Sequence, residues 1–326
     1  MTTPAPRISL RDTLLRRESA LLLIIIVLSA YGAATIDGFA NGYSVMDRSR
    51  HLVEIGIIAV PMTLIIATGG IDLSVGSMVA MSAMVGGAAW QLGGANIWVA
   101  TALMVLTGLI GGLLNGAMAV YLRLAPLVVT LATMAAYRGI AMIVTEAKPI
   151  QNLPDNFGYL GSGEIAGTII PVQWLVLLVA VVTGMVLLHR SWVGEHTLAI
   201  GENPKAAVFA AIPVRPITIF IYGLSGFWCG VVAAIYLART GHGLPDMKGG
   251  MELEVIAAVV VGGTRITGGQ ASVLGTLLGV LLLGVLQYGM DMREPAVPQS
   301  AQMVVTGVVV IFAAVLNEVM ARRTQH

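Results

Sequence analysis

Asp72 is the residue with most potential for chemistry. It stands in Thr68-Gly69-Gly70-Ile71-Asp72-Leu73-Ser74-Val75-Gly76-Ser77, between two strongly apolar stretches. In that setting a carboxylate can exchange a proton or an ion, or face the path of a polar solute. It can also accept hydrogen bonds from the N–H groups left free where a helix restarts after a break. Gly69 and Gly70 permit such a break and allow other backbone to approach closely. Asp72 is expected to cap the following helix, in a structural or gating role. Two further polar residues sit in apolar surroundings. Asn115 shares a helical face with Gly108, Gly111 and Gly112, where an amide can bond a neighbouring helix or face a solute. Arg138 stands about 18 Å into its apolar run at 1.5 Å per residue. It needs a partner from another segment if it faces the interior or an outer vestibule, and none if it snorkels to the surface.

The elements that hold these residues are membrane spans. Apolar residues make up 57% of the 326, charged residues only 11%, and mean hydropathy is +0.87. An ordinary soluble domain carries about 25% charge. A carboxylate at the centre of a spanning helix costs about 2.5–3.5 kcal/mol, which keeps it for a bundle interior or a solute path. Apolar runs near the length needed to cross about 30 Å of hydrocarbon recur at 20–36, 52–68, 71–92, 97–121, 126–145, 168–188, 216–238, 253–261, 271–290 and 301–316. The eighth is too short to span alone and reads as a broken or re-entrant element, so the count is nine or ten. The expected fold is an all-α polytopic bundle forming one domain over 1–326, with an N-terminal segment 1–19 and long connectors at 146–167 and 189–215.

With the N-terminus inside, eleven Lys and Arg residues fall on the inner side and six on the outer, so both termini are expected in the cytoplasm. Arg16 and Arg17, followed by 21–28 and the small Ser29, Ala30, Gly32 and Ala33, resemble a secretory signal; an uncleaved first helix is expected. Four-residue spacings at Gly108, Gly112 and Gly116, at Gly226 and Gly230, and at Gly275 and Gly279 predict backbones packed closely together. The lone Cys229 reads as a small packing residue. A net charge of +1 carries no nucleic-acid signal.

Thr267-Gly268-Gly269-Gln270-Ala271-Ser272-Val273-Leu274-Gly275 repeats Thr68 to Gly76 at the threonine, both glycines and the closing glycine. The repeat is parallel, and two glycine-broken elements would then face a common pathway. The second copy lacks the aspartate. The spacing Gly263-Thr264-Arg265-Ile266-Thr267-Gly268-Gly269-Gln270 imitates a phosphate-binding loop but lacks its lysine and hydroxyl residue, so no ATP site is expected in this chain. Hydrolase and metalloprotease motifs are missing, and the histidines at 51, 189, 196, 242 and 326 are read in connectors, so neither catalysis nor a metal site is expected.

In the connector 189–215, Asn203 can cap a short helix, Pro204 can take its first position and Pro213 can end it. Its small Ala206, Ala207, Ala210 and Ala211 suit docking into a partner's groove, or a plain surface helix tying two spans together.

The run Pro61-Met62-Thr63-Leu64-Ile65-Ile66-Ala67 followed by Thr68 to Ser77 resembles the permease subunits of bacterial ABC importers for simple sugars, the ribose, xylose, rhamnose and autoinducer-2 group. Three further segments carry the likeness: Ala125-Pro126-Leu127-Val128-Val129-Thr130-Leu131-Ala132-Thr133, the connector around Gly201 and Ala206-Ala207, and Glu252 to Thr264. The resemblance implies a type II importer permease in the bacterial inner membrane. Two such subunits form the path, ATPase subunits carrying ATP and magnesium dock inside, and a periplasmic sugar-binding protein delivers solute. It also implies that Gly201, Glu202, Asn203, Ala206, Ala207, Ala210 and Ala211 couple to the ATPase. Gly69, Gly70, Asp72, Ser74, Asn115, Thr130, Arg138, Gly268 and Gly269 are the candidates for the pathway and its gating. Ala210-Ala211-Ile212-Pro213 stands where many relatives carry Ser-Gly-Ile, a departure that leans toward the autoinducer-2 and rhamnose branches. An ion-coupled secondary sugar transporter, which would exchange protons or ions at Asp72 or Arg138, and a membrane-embedded enzyme or receptor are the other readings.

Overall fold

The computed structural model describes residues 17–293, 296–298, 301–302, 304–309 and 311. Up to Asp291, twelve helices run in order among the described residues: α1 (Arg17–Thr35), α2 (Gly42–Ala67), α3 (Val75–Gln91), α4 (Ile97–Tyr121), α5 (Pro126–Val144), α6 (Asp155–Ser162), α7 (Gln173–Arg190), α8 (Trp192–Glu202), α9 (Pro204–Phe209), α10 (Val214–Thr240), α11 (Met251–Val261) and α12 (Val273–Asp291). Among the described residues the only extended pairing is two isolated bridges, Ile150 with Gly243 and Glu164 with Pro171.

Seven of these helices, α1, α2, α4, α5, α7, α10 and α12, are long and apolar enough to cross a bilayer. Two more of the ten apolar runs are shorter helices, α3 with 17 residues and α11 with 11. The described part of 301–316 is helical; the rest of that run, most of segment 1–19 and His326 lie outside the described residues.

Glycine sets the packing. A methyl group placed on Gly108 would fall on Gly226 O, one on Gly112 on Tyr222 O, and one on Gly230 within 2.6 Å of Met104 O. The backbones of α4 and α10 therefore touch along the expected glycine faces. The same relation joins α11 to α12, where Gly262 meets Gly275 and Gly279 meets Ala258 O. Where the surrounding lipid is as apolar as leucine, such close dispersion contact is a main source of helix association. The helix α2 is buried along almost its whole length from Val53 to Ala67. On α1, α4, α5 and α7, apolar side chains such as Leu23, Ile110, Ile143 and Val179 remain exposed, as helices facing hydrocarbon require.

Several expectations need correction. The helix α2 begins at Gly42, ten residues before the apolar run, because the Asn41 side chain accepts hydrogen bonds from the N–H groups of Tyr43 and Ser44 and the polar turns after it stay helical. Consequently His51 lies in α2, His189 in α7 and His196 in α8; only His242 of the described histidines is in a connector. The connector 146–167 contains α6, whose Phe157 is fully buried. In 189–215, Gly201 and Glu202 belong to the helix α8. Asn203 accepts from Ala206 N at 3.0 Å and Pro204 takes the first position of α9, as the spacing predicts. Pro213 does not end that helix: α9 stops at Phe209, Ala211 turns left-handed at φ +57°, and Pro213 precedes α10.

Candidate functional site

The chain leaves α2 through Thr68, which closes on the carbonyls of Leu64 and Ile65, and Gly69 then turns the backbone to φ +79°. Only a residue without Cβ adopts that turn cheaply. The next helical residue is Val75, four residues later than the apolar run suggests. In the break between, Gly70, Asp72 and Ser74 are buried, Ile71 and Leu73 are half-buried and Gly69 is exposed. Asp72 Oδ1 accepts from Ser74 N at 2.8 Å and from Ser74 Oγ at 2.6 Å. Ser74 is the N-cap residue of α3, so the carboxylate holds the cap residue itself and not the N–H groups of the first turn.

From Ser74 a hydrogen-bonded chain runs to α4 and on to α5. Asn115 Nδ2, on α4, donates to Ser74 Oγ at 2.8 Å. The Tyr137 hydroxyl on α5 lies 2.9 Å from Asn115 Oδ1 and 2.8 Å from Gly111 O, so its single hydrogen serves one of them at a time. Thr130 Oγ1 donates to Ile71 O at 3.1 Å or to Pro126 O at 3.0 Å. Asp72, Ser74, Asn115 and Thr130 thus come together, all buried, as one array joining the break to α4 and α5. Asn115 is committed to neighbouring segments within the core. Two atoms beside this array have no hydrogen-bond partner, Asp72 Oδ2 and Tyr222 OH. Tyr222, on α10, is packed so that a methyl group on Gly70 would lie 2.9 Å from its hydroxyl. Tyr137 and Tyr222 were not singled out from sequence; tyrosine in a spanning run facing a glycine-rich helix is the signal that could have found them.

Arg138 does not join the array. Its Nη1 donates to Pro245 O at 2.9 Å and Met247 O at 2.7 Å, in the connector between α10 and α11. Its partner comes from another segment, but from backbone carbonyls and not from another span.

Near that end of the bundle lies a charged cluster that sequence reasoning missed. Glu54, fully buried on α2, accepts from Arg239 Nε at 2.8 Å and from Lys248 Nζ. His51 lies 3.9 Å from Glu54 and 3.6 Å from Glu254, and both Arg239 and Lys248 sit over the Tyr236 ring. A second group adjoins it: Arg50 donates to Gly161 O at 3.3 Å and pairs with Asp47 and Glu164.

At the opposite end the two Thr-Gly-Gly repeats meet. Gly269 N donates to Ala67 O at 3.0 Å, and Gly201 of α8 lies against both turns. The two breaks are therefore neighbours, although only the first leads into the buried carboxylate. Glu202 at the end of α8 and Ala206, Ala210 and Ala211 after it are exposed, whereas Ala207 is buried in the chain's own core. The expected alanine face is corrected at Ala207 alone, and the exposed apolar Val208 at 63% and Phe209 at 91% stand beside the other three alanines.

Residues 50–314 match the family described as branched-chain amino acid transport system / permease component. The chain is 36% identical over 300 residues to the ribose import permease protein RbsC of Bacillus subtilis (strain 168), covering 91% of this chain and 90% of that one. It is 34% identical over 283 residues to the autoinducer 2 import system permease protein LsrD of Klebsiella pneumoniae, covering 84% of each. To LsrD of Escherichia coli (strain K12) it is 30% identical over 309 residues, covering 93% and 92%. In three dimensions it resembles an inward-facing ABC transporter of the metal-chelate type with a TM-score of 0.51 at 14% identity, covering 94% of this chain and 98% of that chain, a likeness of fold alone. On the match over 50–314, this chain belongs to the permease family so described.

Proposed function

We propose that the chain is the membrane-spanning permease subunit of an ATP-driven importer, forming the path for a monosaccharide or similar small polyol. The observation that carries this reading is the near full-length similarity to two import permeases, named for ribose and for autoinducer 2. A second copy of the chain or a related permease completes the path. A periplasmic binding protein delivers the solute, and an ATPase subunit holding ATP and magnesium docks at the α8–α9 end. That end then faces the cytoplasm of a bacterial cell with an inner membrane, together with both termini. The exposed Val208 and Phe209 supply an apolar contact there, close to the Gly201 and Asn203 positions that the family resemblance marks.

The polar array fits a gate better than a coupling-ion site. Asp72 Oδ1 is committed to Ser74, and no basic side chain is bonded to the carboxylate among the described residues. The test is uptake of candidate sugars by proteoliposomes holding the permease, its ATPase and its binding protein. Uptake is expected to require ATP and to survive a protonophore. Uptake that persists without ATP and collapses with the proton gradient would overturn the reading.

A further inference from the structure

The repeated Thr-Gly-Gly motif has no role in the array itself, since only its first copy leads to Asp72. Its geometry gives it another. Three backbone segments meet where α8 ends: 67–70 after α2, 201–202 in α8, and 267–269 before α12. The contact is backbone on backbone. A methyl group on Gly201 would fall on Ala67 O and on Gly269 N. One on Gly268 would lie 2.8 Å from Gly201 Cα, 2.8 Å from Gly69 N and 3.0 Å from Ala67 O. One on Gly69 would lie 3.4 Å from Thr267 O. Gly69, Gly268 and Gly269 all have φ between +79° and +87°, and the Gly269 N–H closes on Ala67 O at 3.0 Å. The Glu202 carboxylate lies over Gly269, with Glu202 Cα 3.2 Å from where a methyl group there would sit.

We infer that Gly201, Gly69 and Gly268 form a joint through which the α8–α9 loop moves both glycine breaks together as one body. A contact of this kind has no flexible side chain to absorb displacement, and close-packed backbone transmits strain where a looser contact would dissipate it. Asn203 both follows Glu202 in the chain and caps α9, so a pull on α9 reaches Gly201 within a few residues. From the joint, one break leads from Gly69 to Asp72 in three residues, and hence to Asn115 on α4 and Tyr137 on α5. The other leads to Ser272, whose side chain accepts from Gly275 N and starts α12. One cytoplasmic movement thereby addresses two separate parts of the bundle. Gly201 acts here as a positioning residue. The inference rests on the permease reading.

Two experiments on the assembled importer in proteoliposomes test it. First, Gly201→Ala is expected to lower ATP-dependent uptake by more than about tenfold while ATP hydrolysis by the complex continues. A structural defect alone would remove the ATPase together with uptake. Second, Glu202→Cys and Gln270→Cys, both at exposed positions, are combined with Cys229→Ala and joined by a short reducible thiol cross-linker. If the joint moves as one body, cross-linking leaves uptake at the level that the same double-cysteine importer shows after reductant. Uptake lost on cross-linking and restored by reductant would overturn the inference, as would normal uptake by Gly201→Ala. An unmodified importer that shows no ATP-dependent uptake would overturn the permease reading, and the joint with it.

Discussion

Asp72 Oδ1 is an acceptor for two groups of Ser74, and Ser74 Oγ in turn accepts from Asn115. Asparagine at 72 keeps an oxygen for both Ser74 donors. Leucine removes the acceptor and leaves the buried Ser74 N–H and hydroxyl unpaired, at about 1–3 kcal/mol for each such group. Asp72→Asn is therefore expected to retain most uptake and Asp72→Leu to lose it; uptake abolished by the asparagine change would point to proton exchange at the carboxyl. A second residue-scale expectation concerns Ala211, held at φ +57° after α9. A left-handed alanine costs roughly 1–2 kcal/mol. Glycine in the same conformation has no such cost. Ala211→Gly should raise the thermal unfolding midpoint in detergent, and an unchanged or lower midpoint would show that the turn is unstrained.

At the scale of elements, α9 separates two kinds of position that its alanines make look alike. Ala207 is buried, so Ala207→Trp overpacks the chain's own core, a change that typically costs about 1–3 kcal/mol. It should lower the unfolding midpoint of the permease alone. Phe209→Ser changes only an exposed side chain. It should leave insertion and unfolding untouched while reducing co-purification with the ATPase subunit, and full co-purification would place the docking surface elsewhere. The contrast also marks how far sequence reaches. Glycines at four-residue spacing announced the α4–α10 and α11–α12 contacts, because close backbone approach leaves a signature in residue size. Asn203 and Pro204 announced the start of α9, because capping is local chemistry. The inward turn of Ala207 was not legible: a helix of six residues has too little periodicity to say which side faces the core. Nor was the α6 helix, whose fully buried Phe157 is held by packing and not by a run of its own.

At the scale of the whole molecule, the charge cluster around Glu54 shows what no local pattern reveals. Its partners Arg239 and Lys248 lie 185 and 194 residues away in the chain, and only the folded bundle brings them together. The cluster ties α2 to the end of α10 and to the connector before α11, with Tyr236 beneath both cations and His51 between Glu54 and Glu254. Thus the bundle is fastened at one end by ions and at the other by backbone joints, with the Asp72 array between them. The two fastenings should fail differently. Glu54→Ala leaves Lys248, which is 5% exposed at its side chain, and the half-buried Arg239 without their counter-charge. Breaking a buried pair by removing one partner costs about 3–5 kcal/mol. Glu54→Gln keeps the shape and one acceptor but not the charge, and should fall between Glu54→Ala and the unaltered protein. Denaturant unfolding in detergent would rank the three. If Glu54→Ala unfolds at the same denaturant concentration as the unaltered protein, the cluster contributes no net stability, and its place at the mouth of the bundle calls for a role in docking or gating.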